Sequence, residues 1–103
     1  MVTSEAFRQW ALAFEGAVEA PHFDRTAFRA KRIFATMPAD GMSANLVLTP
    51  DQQEMQCGLY PEVFSPVANK WGERGWTTAS FAAAQGPELR AALEIAWQNG
   101  CRK

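Results

Sequence analysis

The sequence has little of what catalytic and metal sites require. Its 103 residues include a single histidine, His22, and two cysteines. A nucleophilic triad would have to use that one histidine, and the Gly-x-Ser-x-Gly turn of serine hydrolases does not occur. Cys57, Cys101 and Asp24, the other residues available to a zinc site, are not at ligand spacing. We therefore predict no catalytic residue, no metal and no cofactor, and hence a protein that is not an enzyme.

The small number of cysteines also bears on the cellular compartment. Two cysteines are too few for a disulfide scaffold, so both thiols are expected to be unpaired in a reducing environment. The first residues contain no basic segment followed by an apolar one, as a secretory signal would. A run of eighteen apolar residues, long enough to span a bilayer, is also missing. We predict a cytoplasmic protein with no membrane partner.

The chain has no excess of positive charge. Its formal net charge is -1 and its pI is about 5.8. This balance argues against a protein that holds nucleic acid by bulk charge, because counterion release requires many contacts between cations and phosphates. The cations are nevertheless unevenly distributed. Residues 25–32 carry four of them and no carboxylate, whereas residues 33–69 carry four carboxylates and no cation.

This basic cluster falls on a predicted hairpin and consists of Arg25, Arg29, Lys31 and Arg32, with Lys70, Arg74, Arg102 and Lys103 as candidate neighbours in space. A basic hairpin can hold a phosphate backbone. If it binds duplex DNA, we expect phosphate contacts, weak and sequence-tolerant affinity, and a slope of log K against log salt of roughly -3.6 for about four contacts. The alternative is a solvated hairpin whose charges prevent edge-to-edge strand pairing.

What the sequence does contain is enough apolar material for one core. Hydrophobic residues make up 48% of the chain and charged residues 20%, close to the average of soluble globular domains. Disorder is therefore not expected. A chain of this length fits one domain, which we assign to residues 1–103.

Helix signals lie at both ends of the chain. Thr3 or Ser4 can cap a first helix, Phe7 begins an apolar stripe at helical spacing, and Gly16 ends it. Residues 18–24 are predicted to be a connector, since Pro21 disfavours helix at the residue before it. Residues 86–88 open a last helix that closes at Gly100.

Strand and turn signals fill the middle. Residues 27–30 and 33–37 are predicted to form the hairpin, residues 43–48 alternate in polarity, and residues 75–81 alternate again. Between the last two, Thr49, Pro50 and Gln52 predict a capped short helix that runs to about Cys57 and stops at Gly58. Residues 60–66 should be extended or turn-like, because two prolines bracket them.

The predicted order is helix, three strands, short helix, two strands, helix. Short turns between consecutive strands favour a mostly antiparallel sheet. The amphipathic first and last helices can cover one of its faces. The sequence therefore predicts a two-layer α+β domain.

The segment 71–77 is the most unusual in the chain. It contains Gly-x-x-Gly between Trp71 and Trp76, a spacing that in one RNA-binding module clamps the backbone between two helices. A strand follows here, so that context is absent. The two tryptophans lie close to Lys70 and Arg74 and could stack nucleobases, or they could anchor the core, with Trp76 pointing inward from the start of a strand.

Several of these segments, taken together, resemble the MmcQ/YjbR family of small bacterial proteins. The resemblance rests on Pro21-His22-Phe23, Phe28-Arg29, residues 33–36 and 61–64, and above all Trp71-Gly72 followed by Gly75-Trp76-Thr77. It covers roughly residues 4–100. It implies an α-β(3)-α-β(2)-α fold of the secretion-chaperone class, the order read above. Family members are commonly labelled DNA-binding, and no catalytic residues carry over.

Three functions stay open at this point: nucleic-acid binding, a protein-interaction or chaperone-like role, and small-ligand binding or an unknown enzymatic reaction. DNA and a protein partner are thus the two candidate partners. The first function predicts a nucleic-acid site formed by Arg25, Arg29, Lys31, Arg32, Lys70, Trp71 and Arg74. A continuous basic face would favour it, whereas an extended apolar patch would favour a protein partner, and a pocket of converging polar groups would favour a small ligand.

Overall fold

The structure, a computed structural model, describes residues 1–102. Along this part of the chain the elements are α1 (Ser4–Ala13), β1 (Val18–His22), β2 (Arg25–Arg29), β3 (Ile33–Pro38), β4 (Ser43–Val47), α2 (Pro50–Leu59), β5 (Phe64–Pro66), α3 (Lys70–Glu73), β6 (Trp76–Ser80) and α4 (Pro87–Gly100).

The six strands form one sheet in the order β1-β2-β3-β4-β6-β5, and every neighbouring pair is antiparallel. The two-layer α+β class predicted from the sequence is confirmed. Phe28, Ala35, Leu46 and Thr77 occupy one register row and are all fully buried. This row belongs to the face that α4 and α1 cover, since α4 packs on β3 and β4 and the core includes Phe7 of α1.

The local helix signals are confirmed. Thr3 accepts a hydrogen bond from the Ala6 N–H at the start of α1. At the start of α2 the Thr49 side chain accepts from the Gln52 N–H, and the Gln52 side chain accepts from the Thr49 N–H, which completes the predicted capping box. The predicted stop at Gly58 is wrong, because α2 continues to Leu59. A single glycine costs a helix only about 1 kcal/mol and does not end it.

The predicted connector at residues 18–24 is wrong in its main part, because Val18–His22 form β1. This strand pairs only with β2 and is therefore an edge of the sheet. Proline is tolerated on an edge strand, where its missing N–H interrupts no ladder on the outer side. The short helix α3 was not predicted either. The observed order accordingly has four strands before α2 rather than three.

The sheet has a second face that α1 and α4 leave open. Its central row runs from Ala27 through Thr36 and Asn45 to Thr78, one register position from the buried row. Arg25 and Arg29 belong to the same face, because side chains two residues apart on a strand point to the same side. This open face positions the candidate site.

Candidate nucleic-acid interface

A groove of about 490 Å³ lies on the open face. Thr36 and Asn45 are central-row residues of the sheet and form part of its lining. The turn between β1 and β2 lines one side, and the segment around α3 lines the other. The lining residues are His22, Phe23, Asp24, Arg25, Ile33, Thr36, Asn45, Val67, Asn69, Trp71 and Trp76.

Arg25 is held in the groove by hydrogen bonds to β3. Its Nε donates to Thr36 Oγ1 at 3.0 Å, and one terminal nitrogen donates to the Thr36 carbonyl oxygen at 3.4 Å. A guanidinium carries five N–H donors, so three remain for a ligand. The contact fixes the position of the cation without using up its capacity to bind an anion.

The turn between β1 and β2 presents an aromatic side chain to solvent. Phe23 and Asp24 form a two-residue loop, because His22 pairs with Arg25. Phe23 has a φ of 59° and is 94% exposed. Positive φ at the first loop residue alone is the type II′ pattern, in which glycine is the favoured residue. A bulky residue there is strained by about 1–3 kcal/mol, and its ring contacts only the neighbouring His22 ring among the described aromatic contacts.

Trp71 is the aromatic residue on the opposite side and is 52% exposed. Its ring meets that of Trp76 edge to face, with centroids 5.7 Å apart. The guanidinium of Arg74 lies 5.1 Å from the Trp71 ring centroid, within the range of a cation–π contact. Of the two alternatives left open for Trp76, the inward-pointing one is wrong: Trp76 pairs with Val47 on the open face and lines the groove.

The two glycines of the segment 71–77 have a packing role. A Cβ on Gly72 would lie 1.8 Å from the Val67 carbonyl oxygen, and one on Gly75 would lie 2.0 Å from that of Leu48. Gln53 of α2 fastens the same loop by donating to the Gly72 and Trp76 carbonyl oxygens, each at 2.9 Å. The Gly-x-x-Gly spacing therefore allows α3 to pack closely against its neighbours, and this close packing holds Trp71 in place.

A smaller cleft adjoins the groove. Its volume is about 230 Å³, and Ile33 lines both depressions. Arg32, Arg74 and Arg102 line it together with Asn99, and none of its described lining residues is acidic. The predicted proximity of Arg74 and Arg102 to the basic hairpin is confirmed at Arg32. Lys103 lies outside the described residues.

The remaining predicted site residues, Arg29, Lys31 and Lys70, are each paired with or next to a lining residue, and we call them the rim cations. Arg29 and Lys31 are exposed at the turn between β2 and β3, where a terminal nitrogen of Arg29 donates to the Lys31 carbonyl oxygen at 3.4 Å. Lys70 is exposed at the start of α3, next to Trp71. The structure thus brings Arg25 and Trp71 into the groove and Arg32 and Arg74 into the cleft, whereas the three rim cations line neither depression.

Sequence reasoning missed Phe23, Asn45 and Asn69 as site residues. Asn45 Oδ1 accepts from Thr78 Oγ1 at 2.8 Å, so its amide nitrogen is the group left to donate. Asn69 caps α3 by accepting from the Trp71 N–H. A hairpin reading of residues 22–25 would have found Phe23 in a turn, but the assignment of those residues to a connector hid this.

The potential metal ligands and the thiols of the described residues are scattered. Within residues 1–102 no group of three or more His, Cys, Asp or Glu side chains could hold a metal ion. Cys57 and Cys101 are both free thiols, as predicted, and both are half-buried. Burial raises the pKa of the Cys57 thiol. No helix in residues 1–102 has both the length and the apolar character needed to cross a bilayer.

The fold and the segments that line the site agree with one protein family. The YjbR family model matches residues 12–99. The chain belongs to the YjbR family. This confirms the resemblance noted from residues 21–77. The YjbR match includes every predicted site residue from Arg25 to Arg74. None of the curated proteins matches the chain.

Two solved structures share this YjbR-family fold. The Deinococcus radiodurans protein DR2400, with a DUF419 domain, superposes with a TM-score of 0.76 at 18% identity, over 93% of this chain and 76% of that one. A Pseudomonas syringae protein superposes with a TM-score of 0.65 at 18% identity, over 93% of this chain and 97% of that one. At this identity the likeness shows the fold alone.

Proposed function

We propose that this YjbR-family protein binds nucleic acid on the open face of its sheet, mainly through phosphate contacts. The observation that carries the proposal is the concentration of arginines in the linings of the groove and of the cleft, two depressions that share Ile33. The phosphate contacts come from the four hairpin cations, Arg25, Arg29, Lys31 and Arg32, and Arg74 and Arg102 line the same cleft as Arg32. Cations along a concave surface beside exposed aromatic rings are the recurring features of proteins that bind nucleic acid without sequence preference.

The uneven charge distribution supports this proposal despite the net charge of -1. Arg8 of α1 forms an ion pair with Glu19, in which Nε and Oε1 are 2.6 Å apart, so its charge is neutralised. Residues 33–69, which include all of α2, carry four carboxylates and no cation. The cations are thus concentrated where the groove and the cleft lie. The electrostatic potential there is therefore more positive than the net charge of the whole chain implies.

Salt dependence tests the proposal. Arg29→Gln with Lys31→Gln removes two rim cations, whereas Arg8→Gln with Arg90→Gln removes two from α1 and α4 as a matched control. On duplex DNA each phosphate contact adds about 0.9 to the salt slope, so the rim variant should reduce a wild-type slope of roughly -3.6 by about 2 units. The control should leave it unchanged. Titration of labelled duplexes of two unrelated sequences at several salt concentrations measures this.

Equal slopes in wild type and rim variant, or no binding of duplexes or single strands by the wild type even at low salt, would contradict the proposal. A large affinity difference between the two sequences would contradict its sequence tolerance, since phosphate contacts carry no direct sequence information.

A protein partner is the second candidate, and one observation favours it. Met55 and Leu59 lie one turn apart on α2 and are 52% and 61% exposed, and Tyr60 beside them is 38% exposed. We expect a partner there to survive nuclease treatment in a pull-down from native lysate and to be lost with Leu59→Glu. If nuclease removes every captured protein, this second candidate is excluded.

A further inference from the structure

We propose that the groove holds one unpaired nucleobase, so that the protein prefers single-stranded to duplex nucleic acid. This inference rests on the proposed function and specifies its ligand. It concerns the groove between Phe23 and Trp71, whereas the salt-dependent contacts above concern the cations around it.

The size and polarity of the groove suit a base with its sugar. Its volume of about 490 Å³ lies within the range of small-molecule sites. The amide nitrogen of Asn45 and the remaining N–H groups of Arg25 offer donors, and the Asp24 carboxylate offers an acceptor. Carbonyl oxygens, ring nitrogens and amino groups on the edge of a base match these donors and acceptors.

The strained Phe23 turn is the strongest indication of a ligand. Glycine at this position would relieve the backbone, and the Phe23 ring is too exposed for packing to offset the strain. Strained residues of this kind concentrate at binding sites, where the surrounding structure holds them. An aromatic ring that stands 94% exposed at the edge of a groove presents a face on which a base can stack.

Trp71 offers a second ring whose backbone is already fixed. The Asn69 cap and the contact of Gly72 with Val67 hold its backbone, and Trp76 supports its ring. Because the loop is ordered before binding, little conformational entropy is lost when a base stacks there.

The need for an unpaired base follows from the walls of the groove. The β1–β2 turn stands on one side and α3 on the other. A base inside a duplex is stacked on both faces and paired along its edge, so it would have to be extruded at a cost of a few kcal/mol. An unpaired base avoids most of that cost and can enter with its edge free.

Two variants of Phe23 test the inference without the risk of unfolding. Phe23→Gly removes the ring and suits a positive φ, so we expect it to raise the melting temperature and weaken binding of short oligothymidine and oligouridine about 10-fold. Phe23→Trp should retain the affinity. Met42→Ala removes an exposed apolar side chain between β3 and β4, outside the groove, and should change nothing. Fluorescence anisotropy of labelled single strands and of duplexes of equal length gives the affinities.

Each outcome separates this inference from the proposed function. Tighter binding of single strands that Phe23→Gly weakens, with duplex affinity unchanged, supports the inference. Equal affinity for both forms, insensitive to Phe23 but sensitive to Arg29 and Lys31, overturns the inference and leaves the proposed function standing. No binding of either form at low salt overturns both.

Discussion

At the scale of single residues, the surrounding backbone decides whether a position can hold a side chain. Gly75 adopts a φ of 110°, and a Cβ there would lie 2.0 Å from the Leu48 carbonyl oxygen. Gly58 is the opposite case, since it sits inside α2 with open space around it and no positive φ. The two glycines therefore predict opposite responses to the same added methyl group.

We expect Gly75→Ala to lower the free energy of unfolding by about 2 kcal/mol or more, because both the φ and the close carbonyl oppose a side chain. Gly58→Ala should raise it by about 0.5–1 kcal/mol through helix propensity. Urea denaturation measures both changes. A Gly75→Ala protein as stable as wild type would show that the loop before β6 can move away from Leu48.

At the scale of helices and strands, short sequence motifs predicted the helix starts correctly but did not reveal the edge strand β1. Thr49 and Gln52 define a cap within four residues, so no distant contact is needed to recognise it. The strand β1 depends on its pairing with β2, and its exposed, proline-containing sequence shows no alternation. The bulge between Phe28 and Arg29 depends on register in the same way.

The N-terminus of α4 has a further local feature, a carboxylate that closes its first turn. Glu88 accepts from the Gly86 N–H at 2.9 Å and from the Gln85 N–H at 3.2 Å. Burial raises the pKa of Glu88, but these backbone donors lower it, and the net shift is downward. A carboxyl with a lowered pKa stabilises the fold above its unfolded pKa, and this contribution disappears as the pH falls through its folded pKa.

We therefore expect Glu88→Gln to lower the melting temperature at pH 7 by a few degrees and to have a smaller effect below about pH 4. Thermal unfolding followed by circular dichroism at several pH values measures this. Glu94→Gln, on the exposed side of the same helix, is the control. A pH-independent difference would assign the effect to helix propensity instead of to the charge.

At the scale of the whole molecule, the sequence predicted the cations of the site but not the groove between them. Arg25, Arg29, Lys31 and Arg32 are close in the chain, so a charge count finds them. Phe23, Asn45 and Trp71 come from three separate segments, and only the register of the sheet and the packing of α3 bring them together. The face of Trp76 stayed open because alternation fixes which residues share a side, but not which side is covered.

The strand order has a consequence for synthesis on the ribosome. The strand β5 precedes β6 in the chain, yet it pairs only with β6, which lies between it and β4. A nascent chain that has reached Pro66 can form the first four strands, but Val63 and Phe64 have no sheet to join. The outer edge of β4 stays open until residues 76–80 emerge. Until then an unfilled edge and two apolar side chains are exposed together, a combination that favours aggregation of the partly folded chain.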